Sequence, residues 1–161
     1  TTYVRRDRLQ RKRQNFVRFE PTASIAVAPV SGLQLGAQLR GQWASRSLDG
    51  SERMSLGGPG AVRAYGLSAA AVDSGALVSL EASHDFVFPN TRVSAFYDGA
   101  TGRYRSAFGS PSREVNLQGA GVGINWAWKG MQAQVSLARA IGRSKETPKD
   151  DQVWVTVGKS F

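Results

Sequence analysis

Along most of this chain apolar and polar residues alternate one for one, and that period of two restricts the fold more than any other feature. In "GLQLGAQLRGQW", Leu33, Leu35, Ala37 and Leu39 fall on one face and Gln34, Gln38, Arg40 and Gln42 on the other. Val78, Leu80 and Ala82 oppose Ser79, Glu81 and Ser83, and Met131, Ala133, Val135 and Leu137 oppose Gln132, Gln134 and Ser136. The last stretch sets Val153, Val155, Val157 and Phe161 against Trp154, Thr156, Gly158 and Ser160. Successive side chains of a strand point to opposite faces, so each stretch reads as a strand with two unlike faces. "TRVSAFYDGA" places Val93, Ala95 and Tyr97 opposite Ser94, Phe96 and Asp98, and "VNLQGAGVGINWAW" places Ala120, Val122, Ile124 and Trp126 opposite Gly119, Gly121, Gly123 and Asn125. With "NFVRFEPTASIAVAP", bent near Pro21, about seven strands and no helix are expected.

The connections alternate in length. "PVSG", "VFPN" and "WKG" are tight turns, whereas residues 46–75, 102–114 and 142–151 are long polar excursions. Short turns at one end and long loops at the other describe an up-and-down antiparallel meander. Its polar face carries Gln, Ser, Asn, Gly and Arg; its apolar face carries Val, Leu, Ala and Ile, with Trp and Tyr near strand ends. That distribution is the pattern of a transmembrane β-barrel wall. A soluble barrel fits the alternation nearly as well. Hydrophobic residues make up 41% of the 161, with no continuous apolar run long enough for a membrane helix. The opening "TTYVRRDRLQRKR" is basic and polar, unlike a secretory signal peptide, and the chain starts without Met, so it reads as a segment of a longer protein.

Several chemistries are set aside by residue type. There is no Cys and a single His, His84, so thiolate sites, His-rich metal sites and paired catalytic imidazoles are not expected, nor is a cofactor. His84 with Glu81 and Asp85 resembles an acid/base cluster, but a position near a turn accounts for it more simply. Asp7, Glu20, Glu114 and the "KETPKDD" run read as solvated loop charges. The net charge is +9, concentrated in Arg5, Arg6, Arg8, Arg11, Lys12, Arg13 and Arg18. Such a run suits nucleic acid or, preferred here because no aromatics interleave it, a strand end or loop facing anionic lipid headgroups.

The excursion at 46–75 contains "SLGGPGAVRAYG". Gly57, Gly58 and Gly60 with Pro59 allow positive φ and a sharp reversal, placing Val62, Arg63, Ala64 and Tyr65 at a compact tip. A phosphate loop would need Lys and a helix after the glycines, and neither follows. If the loop instead folds against the polar face, Arg63 needs a carboxylate there, since an unpaired guanidinium in a confined space is costly. Asp98 is one candidate partner and Glu81 the second. Asp98 serves equally well as the first residue of a "DGATG" turn on these grounds alone.

Taken in order, "SERMSLGGPGAVRAYG", "DSGALVSLEASHDF", "VSAFYDGA", "LQGAGVGINW" and the terminal "VWVTVGKSF" resemble the C-terminal barrel half of the two-partner secretion transporters (TpsB, the haemolysin-activator and filamentous-haemagglutinin transporter proteins). The resemblance covers nearly everything after residue 15. It implies a Gram-negative outer-membrane barrel of sixteen strands, of which residues 1–161 form one partial domain, with POTRA domains and the first barrel half outside this segment. It also implies that loop 46–75 folds into the lumen, and that the arginine of a VRG(Y/F)-type tip, here Val62, Arg63, Ala64 and Tyr65, pairs with the aspartate of an F-x-D motif, here Phe96, Tyr97 and Asp98. Ala64 stands where Gly is usual. The implied partners are an unfolded secreted exoprotein, outer-membrane lipid and lipopolysaccharide, and the barrel-assembly machinery acting on the strand that ends at Phe161. No enzyme activity and no nucleic acid are implied. The alternatives are a barrel-assembly insertase of the same superfamily, a plain porin-like barrel, and a basic nucleic-acid-binding β domain.

Overall fold

The structure, a computed structural model, describes residues 17–67, 69–86, 90–105, 112–142 and 151–160. Phe161 and the basic residues before Val17 lie outside those residues. The strands are β1 (Arg18–Phe19), β2 (Thr22–Val30), β3 (Leu33–Ala44), β4 (Met54–Ser55), β5 (Ala71–Val72), β6 (Ser74–Phe86), β7 (Thr91–Tyr104), β8 (Arg113–Trp128), β9 (Met131–Ala140) and β10 (Gln152–Lys159). One sheet runs β1-β3-β6-β7-β8-β9-β10 with β2 also on β3, and β4 and β5 form a separate two-stranded ribbon. All the pairings are antiparallel.

β1 and β2 are one strand in two parts. Phe19 pairs with Trp43 and Thr22 with Arg40, so the register runs unbroken across Glu20 and Pro21. Pro21 has no N–H to give, but its carbonyl accepts from the Gly41 amide at 2.9 Å. The sheet is therefore the meander expected from the alternation, with β2 and β10 as its free edges among the described residues. The short connections include Ser31–Gly32 and Lys129–Gly130; in the second both φ values are positive, 46° and 77°, as a type I′ hairpin turn requires. The long connections are narrower than their sequence suggested, because β7 continues to Tyr104 and β8 begins at Arg113. Glu114 accordingly sits in β8, paired with Arg103 at 2.9 Å, rather than in a loop.

The two faces differ as the alternation demands. Leu35, Leu39, Leu80, Val93, Val122, Ile124, Val135, Leu137, Val153, Val155 and Val157 are exposed on one face. Such a continuous aliphatic surface is a lipid-facing signature, far beyond what a soluble monomer leaves open. Aromatic residues mark its borders: Phe19 and Trp43 toward the long loops, Phe86 and the stacked Trp126–Trp128 pair toward the short turns. Trp154 is the exception and faces the other way.

The register also shows how this surface is inclined. Gln42, Gly75, Gly102 and Val115 share one row, which sets Trp43 level with Glu114. Apolar outer residues reach Trp43 on β3 but stop at Ala120 on β8, where Gln118 and Asn116 take over. The border drops about six residues over three strand-to-strand steps, roughly 20 Å along the strands against 14 Å across them. A level apolar band thus needs strongly tilted strands, as a membrane barrel wall has.

A charge placed in this band should be costly, and one on the opposite face should not. Ile124→Arg in the full-length protein is expected to lower folding stability in lipid vesicles by about 2–4 kcal/mol, with Gln134→Arg close to neutral, both read from urea unfolding followed by heat-modifiable migration.

Candidate functional site

The long connection from Ser45 to Asp73 lies against the polar face, here termed inner. Its two legs pair as β4 and β5, Met54 with Val72 and Ser55 with Ala71. Beyond them the chain closes into a compact tip: the Leu56 amide donates to Ala70 O (3.0 Å), the Gly58 amide to Tyr65 O (2.8 Å) and the Tyr65 amide to Val62 O (3.1 Å). The three loop glycines are not equivalent. Only Gly58 adopts the positive φ that these glycines allow, at 110°; Gly57 lacks room for a Cβ because Gly66 O would lie 2.3 Å from it, and Gly60 faces open space. Ala64 has no left-handed φ, so alanine is as suitable there as glycine.

What seats the tip is a set of small and apolar side chains. Leu56, Val62, Ala64 and Tyr65 are buried against Leu77 of β6, Phe96 and Ala100 of β7, Val115 and Leu117 of β8, and Ala138 of β9. The glycines of "QGAGVG" provide the space. A Cβ on Gly119 would come within 2.4 Å of the Ala64 Cβ, and one on Gly121 within 2.5 Å of the Phe96 ring. The inner face of β8 is therefore a groove into which the tip and the Phe96 ring fit.

Arg63 completes the seat. Its Nε donates to Asp98 Oδ2 at 2.8 Å and its Nη2 to Asp98 Oδ1 at 2.9 Å, a two-pronged pairing. Its Nη1 donates to Glu81 Oε2 at 2.9 Å, so both carboxylates considered from the sequence engage it at once. Ser79 Oγ accepts from Nη2 (3.1 Å) and donates to Asp98 Oδ1 (2.7 Å), and the Arg63 amide donates to Asp98 Oδ2 (3.1 Å). The guanidinium lies over the Phe96 ring, 3.3 Å from its centroid. Asp98 is 0% exposed and Arg63 12%, so neither charge has water to fall back on. The turn reading of Asp98 is excluded, because "DGATG" lies inside β7.

Two contributors escaped the sequence reading. Trp154 on β10 turns inward and donates from Nε1 to Arg63 O at 2.8 Å, tying the tip to a fifth strand. Asp73, at the root of the loop, is 0% exposed and accepts from the Leu48 amide (2.8 Å), the Arg105 amide (2.7 Å) and Arg53 Nε (3.2 Å). Gln42 adds a bond to Asp73 O at 3.2 Å, and Arg105 Nη1 reaches Ala44 O and Ser45 O, each at 3.1 Å. The only sequence signal for Asp73 was an acid flanked by Val72 and Ser74 at a strand entrance. Trp154 was visible as an aromatic on a polar face. His84 faces outward beside Phe86 and next to the Ser31–Gly32 turn, on the face opposite Glu81 and Asp85, so no acid/base cluster forms. Asp85 is instead held by Arg92 at 2.5 and 2.9 Å.

A tilted wall with an aliphatic outer face and a loop latched to its inner face has the features of a membrane β-barrel wall. A family model described as haemolysin secretion/activation protein ShlB/FhaC/HecB matches residues 5–126, and the chain belongs to that family of Gram-negative outer-membrane transporters. Heme/hemopexin transporter protein HuxB of Haemophilus influenzae strain 86-028NP is 33% identical over 131 residues, covering 76% of this chain and 23% of HuxB. HuxB of a second strain matches at the same identity and coverage. Among solved structures, CdiB from Acinetobacter baumannii superposes with a TM-score of 0.69 at 19% identity, over 88% of this chain and 26% of CdiB. The chain thus spans about a quarter of the length of these relatives.

Removing the Asp98 carboxylate leaves Arg63 buried with Glu81 alone. Asp98→Ala is expected to weaken the seating of the tip by on the order of 3 kcal/mol. Hydrogen exchange of the Val62–Tyr65 amides should then rise steeply while exchange in β8 and β9 stays slow. Unchanged tip exchange would show that the apolar seat holds the loop without the ion pair.

Proposed function

We propose that the full-length protein carries an unfolded, secreted partner protein across the outer membrane, and that the loop between Ser45 and Asp73 is an internal strut held in place by Arg63, Asp98 and Glu81. The observation that carries this reading is the two-pronged Arg63–Asp98 pairing at the tip of a loop lodged on the inner wall. A porin-like barrel has no need of it. Family membership favours secretion over barrel assembly. The inner wall below the tip carries Ser83, Ser94, Asn125, Gln134, Ser136 and Thr156, groups that exchange hydrogen bonds with a sliding chain and offer no deep apolar trap. Passage needs no covalent step, nucleotide or cofactor. The aliphatic band would contact lipid and, at its long-loop border, lipopolysaccharide; the last strand through Phe161 would be the assembly machinery's handle; and POTRA domains encoded before this segment would receive the partner.

A charge exchange tests the strut. Arg63→Asp and Asp98→Arg, each alone in the full-length transporter, should cut secretion of the partner at least tenfold, the effect of losing a contact worth more than about 1.4 kcal/mol. The double exchange should restore a substantial part of it, with heat-modifiable migration normal throughout. Wild-type secretion by both single variants would reduce Arg63 to an ordinary loop charge. Failure of the single variants to fold would make the pair structural only.

A further inference from the structure

Outward-facing charges are arranged differently at the two borders of the apolar band. Toward the long loops they stand in pairs of opposite sign, Arg103 with Glu114 at 2.9 Å and Arg139 with Asp151 at 2.6 Å. Toward the short turns, Trp128 of β8, Met131 of β9 and Lys159 of β10 lie opposite one another in a single row on the outward face. Lys129 follows Trp128 in the turn that joins β8 to β9. This corner carries two lysines and, among the described residues, no outward carboxylate. Asp85, at the same end of the sheet, faces inward and is held by Arg92. β8 and β9 are interior strands of the sheet, so the surface around the turn is not that of a free edge.

Lys129 is fixed by an aromatic ring. Its backbone takes the positive φ of the turn, 46°, and its Nζ lies 4.7 Å from the centroid of the Trp128 ring. Trp128 is itself half exposed and stacks on Trp126, with ring centroids 6.2 Å apart. The cation–π contact holds the ammonium against the outward aromatic border, where hydrocarbon gives way to headgroups. Among the described residues no carboxylate pairs with it. An ammonium has three N–H donors, and the anion that a bilayer offers at this level is a headgroup phosphate. The short turns of an outer-membrane barrel face the periplasm, and the leaflet on that side is built of phospholipid.

We propose that the outward corner formed by Trp128, Lys129, Met131 and Lys159 binds an anionic phospholipid of the periplasmic leaflet, of the phosphatidylglycerol type. The two ammonium groups contact its phosphate, and Trp128 and Met131 pack against the glycerol and the first acyl carbons. Phosphatidylethanolamine fits less well, because its own ammonium is repelled by the same lysines. The site rests on the lipid-facing placement of the band and is independent of what the barrel carries.

The test uses the full-length protein in nanodiscs of phosphatidylethanolamine with a minor share of phosphatidylglycerol, the lipids that stay bound after detergent exchange being counted by native mass spectrometry. Phosphatidylglycerol is expected about fivefold above its share, the order of effect of a lysine beside an anionic headgroup. Lys129→Gln combined with Lys159→Gln should return it to its share. Arg139→Gln, a charge lost at the opposite border, should leave the enrichment as in wild type, with heat-modifiable migration normal throughout. In the wild type, raising the salt concentration should weaken the enrichment, and excess inorganic phosphate at constant ionic strength should not displace the lipid. Enrichment that survives the double substitution, or that is insensitive to salt, would overturn the site. Equal loss in Arg139→Gln would reduce it to an effect of net charge. Displacement by inorganic phosphate would make it a plain anion site and overturn the lipid assignment.

Discussion

Asp98 is a carboxylate with no exposure to water, and an isolated charge in that position would cost several kcal/mol. Arg63 offsets that cost with two parallel hydrogen bonds and the backbone amide of the same residue adds a third. Because Arg63 sits at the apex of the loop, satisfying Asp98 fixes how deep the loop reaches. Everything around the pair follows from that depth. Ala64 must lie where Gly119 is, Phe96 must lie under the guanidinium, and Gly121 must leave room for the Phe96 ring. A side chain at either glycine would collide before the ion pair could close.

The pair also bears on the sheet itself. Side-chain direction in a strand has a period of two, so a slip of one residue in β7 would move Asp98 to the aliphatic face and Tyr97 to the inner one. Glu81 and Asp98 lie on adjacent strands, where Ser79 is opposite Asp98 and Glu81 opposite Phe96. One guanidinium spanning both acids is therefore a register clamp across β6 and β7. The outer band reinforces it, because the same slip would expose polar side chains to hydrocarbon with no water to compensate.

The fold was legible wherever the alternation was strict. β3, β6, β9 and β10 show it cleanly because one face meets aliphatic surroundings and the other does not, and the widths of the short turns follow from their Gly and Asn. Strand ends at the long loops were less legible: Arg103, Tyr104 and Glu114 look like loop residues because above the apolar band both faces are polar. For the site, the need of a lumenal arginine for an acid pointed to Asp98 and Glu81 from residue parity, and the resemblance to a known family favoured Asp98 over its turn reading. Asp73 left no comparable trace. Two of its three donors are backbone amides of Leu48 and Arg105, distant in sequence, and backbone partners have no residue signature. Trp154 was assigned to the correct face, but its bond to the Arg63 carbonyl depends on the curvature that brings β10 toward the tip.

The two ends of the loop are held by different means. At the root, Asp73 accepts from two main-chain amides belonging to separate connections, so releasing it requires the backbone of the rim to rearrange. At the tip, the Arg63 side chain makes most of the polar contacts, and these break by rotation about side-chain torsions alone. The apolar seat beneath includes Leu77, Phe96 and Leu117 and receives Leu56 and Tyr65 of the loop, so hydrophobic contact adds to the hold of the ion pair at the tip. The loop is thus held at its root through main-chain amides and at its tip through one guanidinium over an apolar seat, and that guanidinium fixes the depth to which the loop reaches.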